Sequence, residues 1–251
     1  MTSPTERSEI CIVALAEAFR GDGEVLCNPM GPVPVIAGRL ARATFEPDLM
    51  LTDTIAFAIA DTVALGADTA DAVVESYMPF RSVFDQMWSG KRHVVMGASQ
   101  IDRFGNQNFA AIGDYHRPKA QLLGMRGAPG NLINHATSYW IPNQERTFCD
   151  AVDVVSGPGH DRMAALPEAT RRHHEIRRIV TNLGAYDFET PDHTMRLRSI
   201  HPGVTLEEIE GASPFDIDVP TDLPESRLPT TEETRLIRDV IDPDGARLAE
   251  F

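Results

Sequence analysis

The sequence predicts an α/β fold with an open, mainly parallel sheet flanked by helices. Two observations predict it: short apolar runs alternate with segments of helical spacing, and glycine or proline turns separate them. A third makes it feasible. The apolar share is 42% over 251 residues, enough to bury a substantial core. Residues 1–251 read as one domain, in which 213–251 form an extended C-terminal arm and a closing helix.

Ser3-Pro4-Thr5-Glu6 predicts a helix start, because a serine cap, a proline at the first helical position and a glutamate reaching back satisfy the orphan N–H groups. The helix runs to Phe19 or Arg20 and stops at Gly21. Glu24 to Cys27 is a short apolar strand, and Gly31-Pro32-Val33-Pro34 breaks the chain before a helix over Val35 to Ala43. Asp48 to Leu51 and His93 to Met96 read as buried strands, with a helical stretch near Ala67 to Ser76 between them. Thr52, Asp53 and Thr54 are all good cap residues for a helix over Ile55 to Val63. From Gly97 to Asn131 the chain is polar and glycine-bearing, a length of loop that usually carries function. A short apolar helix follows at Leu132 to Ala136. Strands are expected at Thr147 to Val155, Ile176 to Thr181 and Thr194 to Ile200, and helices at Thr205 to Glu210 and Thr231 to Val240. The Pro-rich acidic piece from Asp216 to Pro229 is an extended surface stretch, read by preference as a plain linker to the last helix.

Charge narrows the function classes. With 37 acidic against 23 basic residues the formal charge is −14, which repels a nucleic-acid backbone or an anionic membrane surface and leaves only a local basic patch for a small anion. Cys11, Cys27 and Cys149 are odd in number and widely spaced, so neither a disulfide framework nor a cysteine zinc site is expected. Reduced thiols point to the cytoplasm. The polar stretch Met1 to Glu9 and the lack of 18 consecutive apolar residues argue against export or membrane spanning. His173-His174 is a poor metal site, since adjacent side chains point to different sides. Ser156, His160 and Asp161 lie too close in sequence for a catalytic triad, and a glycine turn is the plainer reading.

The middle of the chain is more specific. Gly97-Ala98-Ser99-Gln100-Ile101-Asp102-Arg103-Phe104-Gly105-Asn106-Gln107-Asn108, Ile112 to Lys119 and the glycine loop Gly124 to Gly130 resemble the β subunit of class I coenzyme A transferases, the glutaconate type in particular. Asp153 to Pro158, Val180 to Gly184, His201 to Glu208 and Arg238 to Pro243 extend the resemblance over nearly the whole chain. It implies the open α/β fold of that family, an α subunit of similar fold, and an acyl-CoA site at the subunit interface. The family's glutamate nucleophile sits in a turn just after the second core strand; the corresponding stretch here is Asp48-Leu49-Met50-Leu51-Thr52-Asp53-Thr54, which holds no glutamate, and Asp53 is the only carboxylate in the turn after the strand. A side chain one methylene shorter fits poorly where reacting atoms must approach to about 3–3.5 Å, so helix capping by Asp53 is favoured over attack.

The family's Gly-x-Gly-Gly oxyanion loop is here Gly124-Met125-Arg126-Gly127-Ala128-Pro129-Gly130-Asn131. Loss of the nucleophile with charge stabilisation kept or strengthened resembles the actinobacterial CoA-transferase-like hydrolases that open the last ring in cholesterol breakdown. That resemblance implies hydrolysis of a carbon–carbon bond in a cyclic β-keto acyl-CoA. Arg126, Gly127 and Asp53 are then the catalytic candidates, and Asn106, Asn108, Gly124, Met125, Ala128, Gly130 and Asn131 the substrate-binding ones. Arg117 and Lys119 are candidates for the coenzyme A phosphates. No metal or cofactor is implied beyond the coenzyme A of the substrate, and the expected assembly is an α2β2 heterotetramer with the general base on the α subunit. A true acyl-CoA transferase and a non-catalytic scaffold subunit remain as alternatives.

Overall fold

The computed structural model describes residues 3–52 and 56–251. They form two compact units, residues 1–96 with 227–251, and residues 97–226.

In the first unit α1 (Pro4–Ala16) starts as the sequence requires: Glu6 N–H donates to Ser3 Oγ at 3.3 Å, and Ser3 N–H donates to the Glu6 carboxylate at 2.9 Å. Ile10 to Val13, Leu15 and Ala16 are all buried, so α1 is a core helix rather than a surface one. After a 3-10 turn the chain reverses at Gly21 and enters β1 (Leu26–Pro29), two residues later than the apolar run suggested. Gly31 holds φ at +103°, and α2 (Pro32–Thr44) begins on the proline that follows. β1 runs parallel to β5 (Arg92–Met96), with Leu26 opposite Arg92 and Pro29 opposite Val95.

Between these lie β2 (Leu51–Thr52), β3 (Phe57–Ile59) and β4 (Val74–Tyr77), an antiparallel three-stranded sheet, then α3 (Phe80–Asp85) and a 3-10 turn Gln86–Ser89. The helices expected over 55–63 and 67–76 are thus absent among the described residues. The alanines there favour helix only locally, whereas Phe57 opposite Tyr77 and Ala58 opposite Ser76 gain cross-strand partners. Asp61 also accepts the Val73 N–H at 2.5 Å, and Gly66 turns the chain at φ +78°.

The second unit opens with two small hairpins, β6 (Gln100–Ile101) with β7 (Gln107–Asn108) and β8 (Ala111–Ile112) with β9 (Ala120–Gln121). Next come α4 (Ala128–Asn134), β10 (Ala136–Ile141), α5 (Gln144–Thr147), α6 (His160–Ala164) and α7 (Glu168–Arg171). β11 (Glu175–Thr181) pairs parallel with β10, and β12 (Gly184–Asp187) and β13 (Arg196–Ile200) add to it antiparallel, followed by α8 (Leu206–Gly211). The mainly parallel α/β expectation holds, with this antiparallel extension.

Two expectations are corrected here. Thr147 to Val155 is not a strand: it is the end of α5 and a loop in which Phe148 makes one isolated bridge to Ile101. The strand lies instead at β10, whose six residues are all buried. Nor is 216–229 a mere linker, since Asp218 bridges Arg196 and Glu225 bridges Ile200 in parallel, covering the outer edge of β13. No helix among the described residues is long and apolar enough to cross a membrane.

The helical segment Thr231–Arg235, continuing as a π-helix over Leu236–Ile241, joins the first unit. Buried Glu9 on α1 receives Arg238 Nε at 2.6 Å and Arg247 Nη2 at 3.5 Å, while Arg247 Nη1 donates to Asp242 at 2.7 Å. Removing one partner of such a buried network strands the other charge. Glu9→Ala should therefore cost on the order of 3 kcal/mol in a denaturant titration at neutral pH. A loss well under about 1 kcal/mol would show that the network contributes nothing.

Candidate functional site

The long polar stretch from Gly97 is held by buried amides. Asn108 is fully buried; its Nδ2 donates to Gln100 Oε1 at 2.7 Å and to Ala111 O at 2.8 Å, and its Oδ1 accepts Ala110 N–H at 2.8 Å. Asn106 donates to Asp102 and Asp161, each at 2.9 Å, and accepts Gly159 N–H at 2.8 Å. Each amide has two hydrogens, and both are used within the chain. The expectation that Asn106 or Asn108 donates to substrate is thus not what this geometry offers: both residues position the loops around them. Gly159 is obligatory beside Asn106, because a Cβ there would lie 2.5 Å from Asn106 N and closer still to Phe104 O.

From Asn108 the order passes to the glycine loop. Phe109 N–H donates to Ser156 Oγ at 3.2 Å, while the carbonyls of Phe109 and Ala110 accept from Gly124 N–H at 3.2 Å and Leu122 N–H at 3.0 Å. Gly124 has φ +88°, and Arg126 has φ +47°, a left-handed conformation that a non-glycine residue adopts at a cost of about 1–3 kcal/mol. Gly127 then returns to φ −85°. Successive residues of opposite hand turn their N–H groups to one side and form an anion-binding concavity.

The loop's own bonds show which donors are left. Gly124 N–H is taken by Phe109, Ala128 N–H by Met125 O at 3.1 Å, and Asn131 N–H by Gly127 O at 2.9 Å. Ala128 and Asn131 are buried, and the Gly130 carbonyl accepts from Asn134 at 2.8 Å. Among the described residues, the N–H groups of Met125, Arg126 and Gly127 donate to no atom of the chain. Three consecutive donors are therefore left without an acceptor among the described residues. Exposed Arg126 donates from Nε to Leu123 O at 3.1 Å, and no described carboxylate pairs with it. The structure thus brings together Gly124, Met125, Arg126 and Gly127 as a cationic, donor-rich loop and places Ala128 and Asn131 behind it. α4 spans only seven residues, so the backbone turn and the guanidinium, rather than the helix dipole, set its potential. Asp53 lies outside the described residues. Arg117 and Lys119 sit exposed on the hairpin β8–β9, and neither is ion-paired among the described residues.

Sequence reasoning missed a group of three imidazoles. His160 stacks on His193 at a centroid distance of 5.2 Å, meets His174 edge-on at 4.8 Å and packs on Phe188 at 4.8 Å. His174 Nδ1 bonds Leu132 O at 2.6 Å, tying the cluster to α4, and the Nε2 atoms of His160 and His174 are buried without a partner. Burial, then His174 and His193, push His160 down to about 3; burial also lowers His174. Nothing in the spacing of 160, 174 and 193 signals a cluster. The thiols are equally unreactive: burial holds Cys11 and Cys27 well above the usual range and pushes Cys149 up to about 12.

The cluster has a pH consequence. The folded chain keeps His160 neutral down to about pH 3, whereas an unfolded chain binds that proton near 6.5, so the unfolded state carries more protons between those values. Stability should be flat above pH 7 and fall through that window, by at most about 1.4 kcal/mol per pH unit for this one group. His160→Phe should make the acid limb of a stability–pH profile shallower. An unchanged limb would place the acid lability elsewhere.

No protein-family model matches the chain. Curated relatives do. The cholesterol ring-cleaving hydrolase IpdB subunit of Rhodococcus jostii is 51% identical over 242 residues, 96% of this chain and 94% of its own. A glutaconate CoA-transferase subunit of Acidaminococcus fermentans is 31% identical over 260 residues, 95% of this chain and 93% of its own. The crystal structure of Rhodococcus jostii RHA1 IpdAB contains a chain that matches with a TM-score of 0.92 at 50% identity, covering 97% of each. Agreement of sequence and fold over almost the full length leaves one conclusion: the chain belongs to the family of cholesterol ring-cleaving hydrolase IpdB subunits, within the wider group of CoA-transferase subunits.

Proposed function

We propose that the chain is the β subunit of a cytoplasmic hydrolase that opens the ring of a cyclic β-keto acyl-CoA in cholesterol ring degradation, together with an α subunit in an α2β2 assembly. The observation that carries this reading is the 51% identity, over 96% of the chain, to a hydrolase subunit of that name. The loop chemistry agrees. Water adds to the ring ketone, the bond between that carbon and the α-carbon of the thioester breaks, and its electron pair moves onto the thioester as an enolate. The α-carbon then takes a proton, so the net change is one water gained with coenzyme A still attached. Negative charge develops on the thioester oxygen, and preorganised donors aimed there lower the barrier more than any other single device. The N–H groups of Met125, Arg126 and Gly127 with the Arg126 guanidinium supply that sink. Water is activated by a carboxylate of the α subunit, and no metal or cofactor is needed beyond the coenzyme A of the substrate.

The test uses the chain co-purified with its α subunit and a cyclic β-keto acyl-CoA, without an acceptor acid, followed by mass. A gain of one water on the acyl-CoA is expected. Transfer of coenzyme A only after a carboxylic acid is added would favour a transferase instead.

Arg126→Gly separates charge from backbone strain, because glycine adopts φ +47° freely. Stability should stay within about 1 kcal/mol of the parent, relief of strain offsetting the greater freedom of the unfolded chain. kcat should fall by about 10²–10³. Unchanged kcat with a raised KM would mark Arg126 as a binding group only.

A further inference from the structure

The stretch from β3 to the 3-10 turn after α3 has two apolar faces, and only one is covered. Ala58 and Met78 lie in a core cluster with Leu26, and Val83 packs against it; Met87 is buried as well. Phe80 and Phe84 stand one turn apart on α3, the spacing that puts side chains on one helical face, and Trp88 follows on the 3-10 turn. They are 66%, 44% and 71% exposed, and the rings of Phe80 and Phe84 meet at 5.2 Å. The adjoining ribbon repeats the arrangement. Tyr77, 71% exposed, stands opposite Phe57 with ring centroids 5.8 Å apart, and Val74 precedes it on β4, whose residues are all exposed.

With about 150–250 Å² for each full aromatic side chain, these residues leave on the order of 700 Å² open. That exceeds the largest apolar patch of an ordinary monomer, about 300–600 Å², and comes close to the ~800 Å² that one partner contributes to a standard interface.

We propose that this aromatic face is the seat of the α subunit. The assignment rests on the two-subunit reading above. A second copy of the same chain fits poorly, because residues 56–91 carry five carboxylates against Arg81 and Lys91, and two chains of charge −14 repel each other. The matching surface is apolar with a basic rim.

The test is Trp88→Glu and Phe84→Glu, each made in the full chain and co-expressed with tagged α subunit, with Leu228→Glu as an exposed apolar control outside the face. Each face variant should weaken association with α at least about 30-fold, as loss of a central aromatic anchor does. The control should associate as the parent does, and thermal unfolding of the isolated chains should be unchanged. Parental affinity in both face variants would overturn the assignment, as would association with α kept while β–β association is lost. Failure of the parent chain itself to retain α would instead sink the two-subunit reading, and this assignment with it.

Discussion

The side-chain amide of Asn108 is the constraint on which the site depends. Buried and saturated, it fixes Gln100 on one side and the backbone at Ala110 and Ala111 on the other. Those residues in turn hold Leu122 and Gly124, which launch the left-handed turn at Arg126. A buried amide deprived of its partners costs about 1–3 kcal/mol per group, so this loop has one satisfied arrangement and the alternatives are steeply uphill. Preorganisation of that kind keeps three backbone N–H groups from collapsing onto the loop's own carbonyls.

The polar residues therefore divide between those spent on holding the loops and one that is not. Asn106, Asp102, Asp161 and Gly159 form a closed set that joins two loops. Asp102 is raised by burial and by nearby Asp161, yet its oxygens are occupied by Phe104 N–H, Asn106 N–H and the Asn106 amide. Arg126 differs from all of these. It carries a full charge, is exposed, and sits in a backbone conformation that glycine would adopt with less strain. In a chain with 14 excess negative charges, a cation without a carboxylate partner among the described residues is a local reversal of field.

Local chemistry was legible in the sequence wherever a residue's role is played out within a few positions. The capping boxes at Ser3 and Thr205 and the proline start of α2 were of this type. β10 was not, because a strand buried on both faces shows no alternation and Ala136 to Ile141 reads equally as helix. β3 and β4 were missed because alanine-rich sequence favours helix until cross-strand partners appear. The glycine loop was legible as a glycine-rich turn before a helix, but the hydrogen bonding around it was not. No pattern of residue types reveals that Asn106 and Asn108 exhaust their hydrogens internally, or that His160, His174 and His193 meet.

The first compact unit is assembled from both ends of this sequence, with Glu9 and Arg238 in contact across 229 positions, whereas residues 97–226 are continuous. During synthesis the continuous unit can complete its sheet while the other still waits for residues 238–247. Until those arrive, Glu9 is a carboxylate in an apolar helix with neither arginine to meet it. A nascent chain therefore carries an unfinished module ahead of a finished one. That order makes the interval before residue 247 emerges the period of greatest exposure to misfolding and to chaperones.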